Sequence, residues 1–191
     1  MFSQMLIFLI VTLGDLFALA LLLRFMLQLL RAPARNPFSQ FVAALTDFVV
    51  RPARRVIPGL GGLDLATLVL AWLTEMAQLW IVLQLRGYEL GPAAGIALTA
   101  LAVLAAIQIV RLAVYVVMVA VVVQAVLSWV NPFSPLAPLL ASVTRPFLRP
   151  FQKFVPMIAN VDLSPLCVLI ICQLLVTVPL TWLEALIRRM L

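Results

Sequence analysis

The chain has 191 residues, of which 65% are hydrophobic and only 10% charged, with a net charge of +6 and no histidine. A water-soluble domain carries about 25% charged residues, so a fold this poor in charge cannot cover its own surface. The missing histidine also excludes imidazole metal ligands, histidine general bases and histidine-ligated haem.

Residues 6–23 form the first apolar run, close to the roughly 20 residues a helix needs to cross a bilayer. No Lys or Arg precedes Arg24, and no small-residue cleavage site follows the run, so it reads as a retained anchor rather than a signal peptide. Arg24, Arg31 and Arg35 follow it, which favours an outside N-terminus and an inside first loop. Asn36 or Ser39 then caps a helix whose first turn suits Pro37. In that helix Phe38, Phe41, Val42, Leu45, Phe48 and Val49 make one apolar face, with Gln40, Thr46, Asp47 and Arg51 on the others. Such a helix is too short and polar to span and is expected along the membrane interface. Proline is expected to interrupt it within Arg51-Pro-Ala-Arg-Arg55, where Arg51, Arg54 and Arg55 can reach phosphates. Asp64 stands before the second apolar run, residues 65–85, in the position of a helix cap stabilising by about 0.5–2 kcal/mol, with or without an ion pair to the arginines.

The third run, residues 93–130, is about twice the necessary length. A hairpin there would give five spans and invert the second half. No Gly, Pro or Asn lies between Ile96 and Val130 to make that turn, so one long helix entering through Gly91-Pro92 is preferred. A second amphipathic helix follows, with Leu136, Leu139, Leu140, Val143 and Phe147 on its apolar face, then the basic Arg149 and Lys153 and the cap Asp162. Residues 166–187 form the last span. Its two cysteines, Cys167 and Cys172, lie roughly 140° apart around a helix and read as small hydrophobes.

These segments are two copies of one module. Asn36-Pro37-Phe38-Ser39 matches Asn131-Pro132-Phe133-Ser134, Arg51-Pro52 matches Arg149-Pro150, Pro58 matches Pro156, and Asp64-Leu65 matches Asp162-Leu163. From Thr46 and Thr144 onward the offset is a constant 98 residues. The expected fold is therefore all-α and polytopic: two tandem repeats, residues 1–90 and 91–191, each of spanning helix, interfacial helix and spanning helix. Both basic modules then share one side, and Arg86, Arg188 and Arg189 the other, as the positive-inside rule prefers.

Several polar residues fall within apolar runs: Asp15, Glu75 and Arg111, with Arg24 nearer an end. A mid-bilayer charge costs at least about 2.5–3.5 kcal/mol, so such groups face the interior and find partners. Glu75 aligns with Gln173 at the offset of 98, and Asp15 with Tyr115 and Arg24 with Gln124 at 100. The alignment predicts an internal polar belt of Asp15, Glu75, Gln78, Tyr115, Gln124 and Gln173. It serves either as helix–helix glue or as a hydrated cation or proton site.

The chain resembles the YggT family of bacterial inner-membrane proteins. The residues that carry the resemblance are Asn36-Pro37-Phe38, Arg51-Pro-Ala-Arg-Arg-Val-Ile-Pro-Gly59 and Gly62-Leu-Asp64 in the first copy. In the second they are Leu127-Ser-Trp-Val-Asn-Pro-Phe133, Arg145-Pro-Phe-Leu-Arg-Pro150 and Val161-Asp-Leu-Ser-Pro165. Departures are Ala66-Thr67, where the family often has Ser-Pro, and the missing Gly pair before Asp162. The resemblance implies a multi-pass protein of the bacterial inner membrane with cytoplasmic basic loops. It also implies links to osmotic or cation homeostasis or cell division, and in plastid relatives to cytochrome b6f assembly and nucleoid organisation.

No catalytic, cofactor-binding or metal constellation is visible. Three non-enzymatic readings remain: a membrane scaffold or assembly factor, a small cation channel or transporter subunit using the polar belt, and a lipid-organising protein. The expected partners are the bilayer with its anionic headgroups, other membrane proteins and further copies of the chain. Nothing points directly to nucleic acid.

Overall fold

The computed structural model describes residues 2–33, 36–59, 63–87, 94–131, 133–153 and 162–189, and the described residues are helical apart from short connections. The helices are α1 (Phe2–Leu29), α2 (Pro37–Val56), α3 (Leu65–Leu85), α4 (Ala94–Val130), α5 (Ala137–Gln152), α6 (Ser164–Leu175) and α7 (Thr181–Arg188). A π-helical segment, Val176–Leu180, joins α6 to α7, so the three form one span, Ser164–Arg188. This span, α1, α3 and α4 are the four helices long and apolar enough to cross a membrane.

Helix α4 is continuous over 37 residues, which excludes a hairpin within it. At 1.5 Å per residue it is about 55 Å long, far more than a hydrocarbon core of about 30 Å. The Gly91-Pro92 entry lies outside the described residues. Local chemistry explains several helix ends. Asn36 caps α2 by accepting the Phe38 N–H at 2.9 Å, with Pro37 in the first turn. Helix α1 closes through Arg31 in the left-handed region (φ 52), with the Ala32 N–H on the Leu27 carbonyl at 2.8 Å.

One expectation about the amphipathic helices is corrected. Proline does not interrupt them: α2 runs through Pro52 to Val56, and α5 through Pro146 and Pro150 to Gln152. In α2 the carbonyl that Pro52 leaves without its usual donor belongs to exposed Phe48, which limits the cost. The apolar face also divides in the structure. Val42, Thr46 and Val50, at i, i+4 and i+8, are the buried stripe, while Phe41, Leu45 and Phe48 remain exposed. Thr46 can be buried because its hydroxyl donates to the Val42 carbonyl at 2.8 Å.

Helix α2 packs across α1 and α3, α5 packs across α4 and α6, and α3 and α1 both pack on α4 to join the halves. The main core draws from all of these, with Leu21, Leu22, Val50, Ala71, Val117, Val121, Leu148 and Val168 at its centre. Val50 and Leu148 are repeat equivalents, so each amphipathic helix inserts the same position into the bundle. Two hydrogen bonds also cross between the halves: Trp72 Nε1 to the Ala102 carbonyl (2.9 Å) and Asn36 Nδ2 to the Pro135 carbonyl (3.1 Å).

If all four helices cross the membrane, α2 and α5 lie on one side of it. In a cysteine-free background, cysteines at positions 55 and 149 are expected to react with an impermeant maleimide from one face of sealed vesicles. Cysteines at 86 and 189 should react from the other. Opposite labelling of 55 and 149 would mean inverted repeats.

Candidate functional site

The polar side chains of the spans are used first to hold the amphipathic helices. Near the end of α1, Arg24 reaches α2, donating to the Thr46 hydroxyl (2.8 Å), to Asp47 Oδ1 (2.8 Å) and to the Ala43 carbonyl (3.3 Å). Asp47 also accepts from Arg51 at 2.6 Å. The bonds from Arg24 and then Arg51 hold the Asp47 carboxyl below the usual carboxylate range, against the opposing effect of burial. The second copy has a neutral joint at the same place with the polarity reversed: the fully buried Thr144 hydroxyl donates to Gln124 Oε1 of α4, sharing its proton with the Leu140 carbonyl at 2.9 Å.

A second joint closes each module. Arg54 donates from Nε (3.1 Å) and a terminal nitrogen (2.5 Å) to Oδ2 of Asp64, whose side chain is only 4% exposed. Asp64 therefore does not act as the expected side-chain cap of α3; the arginine takes its carboxylate instead. Asp162 does accept the Ser164 N–H (2.8 Å), and its other oxygen accepts from Gln152 (3.0 Å) rather than from Arg149 or Lys153. Burial acts to raise the Asp162 carboxyl, but the bonds from Ser164 and Gln152 outweigh it and hold the group low. Gln152 stands 98 residues after Arg54, so both joints use arginine in the first copy and glutamine in the second.

The expected polar belt does not form as one unit. Gln78 Nε2 donates to Asp15 Oδ1 at 2.7 Å, linking α3 to α1 beside Gly14, where a Cβ would overlap Gln78 Oε1. Glu75, one turn before Gln78, is 2% exposed, and Glu75 Oε1 and Gln78 Oε1 are buried without partners. Neither Asp15 nor Glu75 has a basic partner among the described residues. The second copy has no counterpart of this cluster. Tyr115 and Gln173 are exposed, Gln173 donates to Thr177 (3.4 Å), and Val176 replaces Gln78. A period-98 alignment preserves polarity at these positions but cannot show that the second span is turned outward there. Arg111 is occupied elsewhere, paired with Glu184 of α7 and bonded to Gln108 at 3.2 Å.

The basic residues also separate by copy. In α2, Arg51 is tied to Asp47 and Arg54 to Asp64, leaving Arg55 exposed. In α5, Arg145, Arg149 and Lys153 are all exposed and make no ion pair among the described residues. Asp47, Thr46, Thr144, Gln152 and Arg145 are functional residues beyond those expected from the sequence; the 98-residue register is the signal that finds Gln152 and Arg145, as counterparts of Arg54 and Asp47. The described residues hold no cluster of three or more His, Cys, Asp or Glu able to bind a metal.

The family model of CCB3/YggT matches residues 3–85 and 103–183, once in each half. The chain belongs to the CCB3/YggT family. It is 37% identical over 161 residues to the uncharacterized protein PA0392 of Pseudomonas aeruginosa, covering 84% of this chain and 80% of that one. It is 49% identical over 65 residues to an uncharacterized protein encoded in the proC 3' region of Vibrio alginolyticus, covering 34% and 35% of the two chains. To the uncharacterized protein YggT of Escherichia coli it is 42% identical over 66 residues, 35% of each chain. No solved structure matches the chain.

The Arg54–Asp64 joint of this YggT-family protein yields a direct test. Arg54→Leu leaves a buried carboxylate without its donor and should lower stability by about 2 kcal/mol. Arg54→Gln, which installs the pairing of the second copy, should recover at least half of that loss. Denaturant unfolding in detergent micelles measures both; equal losses would show that glutamine cannot stand in for the guanidinium, and no loss in either that the donor at position 54 is immaterial.

Proposed function

We propose that the protein is a non-enzymatic membrane scaffold or assembly factor that presents two interfacial helices to partners on one face of the bacterial inner membrane. The observation that carries this reading is the pair of equivalent joints, Arg24 to Thr46 and Gln124 to Thr144, which lock α2 and α5 onto the spans. A helix held this way cannot leave the bundle, and its outer surface becomes a fixed platform. On α2 that platform is the ridge of Phe41, Leu45 and Phe48, 59%, 46% and 70% exposed, beside Arg55. A role in envelope or osmotic homeostasis or in cell division fits a platform of this kind. Photo-crosslinkers placed at 41 and 48 in living cells should give discrete protein adducts, and these should disappear with Arg24→Ala. Adducts to lipid alone would exclude the scaffold.

A second reading, a cation channel or transporter subunit, is favoured by the Asp15–Glu75–Gln78 cluster, whose two carboxyl groups meet no basic side chain among the described residues. On this reading, liposomes holding the protein conduct potassium, sodium or protons, and the Asp15→Asn/Glu75→Gln variant remains folded but does not. Absence of flux under osmotic and voltage gradients removes it.

A further inference from the structure

The two interfacial helices differ in charge although their backbones repeat. Along one face of α2, at i, i+4 and i+8, stand Asp47, Arg51 and Arg55; Asp47 pairs with both Arg51 and Arg24, so these three charges sum to +1 rather than +2. The same register of α5 carries Arg145, Arg149 and Lys153. The exchange of Asp47 for Arg145 accompanies that of Arg24 for Gln124, so no acid is needed there and the stripe becomes wholly basic. Its three side chains are exposed and unpaired among the described residues.

Beside this stripe opens a crevice of about 480 Å³ between α5 and the spans. Pro146, Phe147, Pro150 and Phe151 of α5 form its rim, and apolar residues of α1, α3, α4 and α6 its walls. Arg149 and Lys153 lie one turn from Pro146 and Pro150, about 60° around the helix, so their long side chains flank the opening. The walls run from Ile109 to Val117 on α4 and from Val168 to Leu175 on α6. At 1.5 Å per residue these stretches are about 12 and 10 Å long. One leaflet of hydrocarbon is about 15 Å deep, half of a core of about 30 Å.

We propose that α5, unlike α2, binds one anionic phospholipid, with its phosphate on Arg145, Arg149 and Lys153 and an acyl chain in the crevice below. The proposal rests on the interfacial placement of α5 in the scaffold reading and names a ligand for that copy. A lipid fits both halves of the site at once: the basic stripe suits a phosphate, and walls lined almost wholly by carbon offer no groups to orient a peptide or nucleotide.

The test uses the full-length protein in neutral detergent, titrated with phosphatidylglycerol or phosphatidylcholine and read by native mass spectrometry. A basic residue near an anionic lipid surface contributes roughly fivefold in affinity. Arg145→Gln/Arg149→Gln/Lys153→Gln is thus expected to weaken phosphatidylglycerol binding about a hundredfold without changing phosphatidylcholine binding. Arg51→Gln/Arg55→Gln should change either by less than threefold. Arg145→Asp, which restores the acid of the first copy, is the milder variant and should cost at least tenfold. Ala113→Phe, which narrows the crevice without altering charge, should weaken binding of long-chain phosphatidylglycerol more than of a short-chain form. Equal losses from the α2 and α5 variants would overturn the site as diffuse surface attraction, as would a triple variant that binds as well as the parent. The purified protein needs no partner in this assay, so its failure is distinct from an absence of crosslinked proteins in cells.

Discussion

Everything in this architecture depends on what an apolar medium does to a polar group: one that cannot reach water must find a partner inside the protein. Helices α2 and α5 are too polar to span, yet each buries a threonine and a branched apolar residue in the bundle. The threonine is what the span can hold. Arg24 donates to Thr46 and Thr144 donates to Gln124, so in both copies a polar residue of the span bonds the helix it holds. The cost of a polar side chain near the end of a span is thereby turned into a fixed position for an interfacial helix.

The same constraint explains how the copies diverged. Arginine donors demand acceptors, and the first copy supplies Asp47 and Asp64. With glutamine at positions 124 and 152 the demand weakens. Asp162 then turns one oxygen to the backbone of α6, and the equivalent of Asp47 is free to become Arg145. The first copy pairs most of its α2 arginines with acids, whereas the basic residues of α5 stand unpaired among the described residues. The spans diverge in parallel. Asp15, Glu75 and Gln78 gather between α1 and α3, while the last span breaks into a π-helical segment at Val176–Leu180 around Pro179. There the Thr181 hydroxyl takes up the Val176 carbonyl at 2.9 Å.

A division of labour follows. One half carries the buried polar cluster and an apolar ridge, the other a basic stripe over an apolar crevice, and the two are fixed to each other through α4, the Trp72–Ala102 bond and the Asn36–Pro135 bond. None of these features is a catalytic constellation. All of them are surfaces or packing sites, for which lipid, protein or ion are the proposed occupants.

Four helices long and apolar enough to cross a membrane, the duplicated module and the family were all legible in the sequence, because hydrophobic length and repeat are written in one dimension. The sequence also located Asp64 and Asp162 as a matched pair. Only the tertiary structure decided which partner each polar residue takes: Asp64 accepts from Arg54 instead of capping α3, Gln173 faces outward while Glu75 faces in, and Thr46 lies at the centre of the buried stripe. The physical reason is that periodicity fixes the angle of a residue around its own helix, whereas burial depends on which neighbour covers that angle. In a bilayer the uncovered faces are as apolar as the covered ones, so hydrophobicity cannot tell them apart.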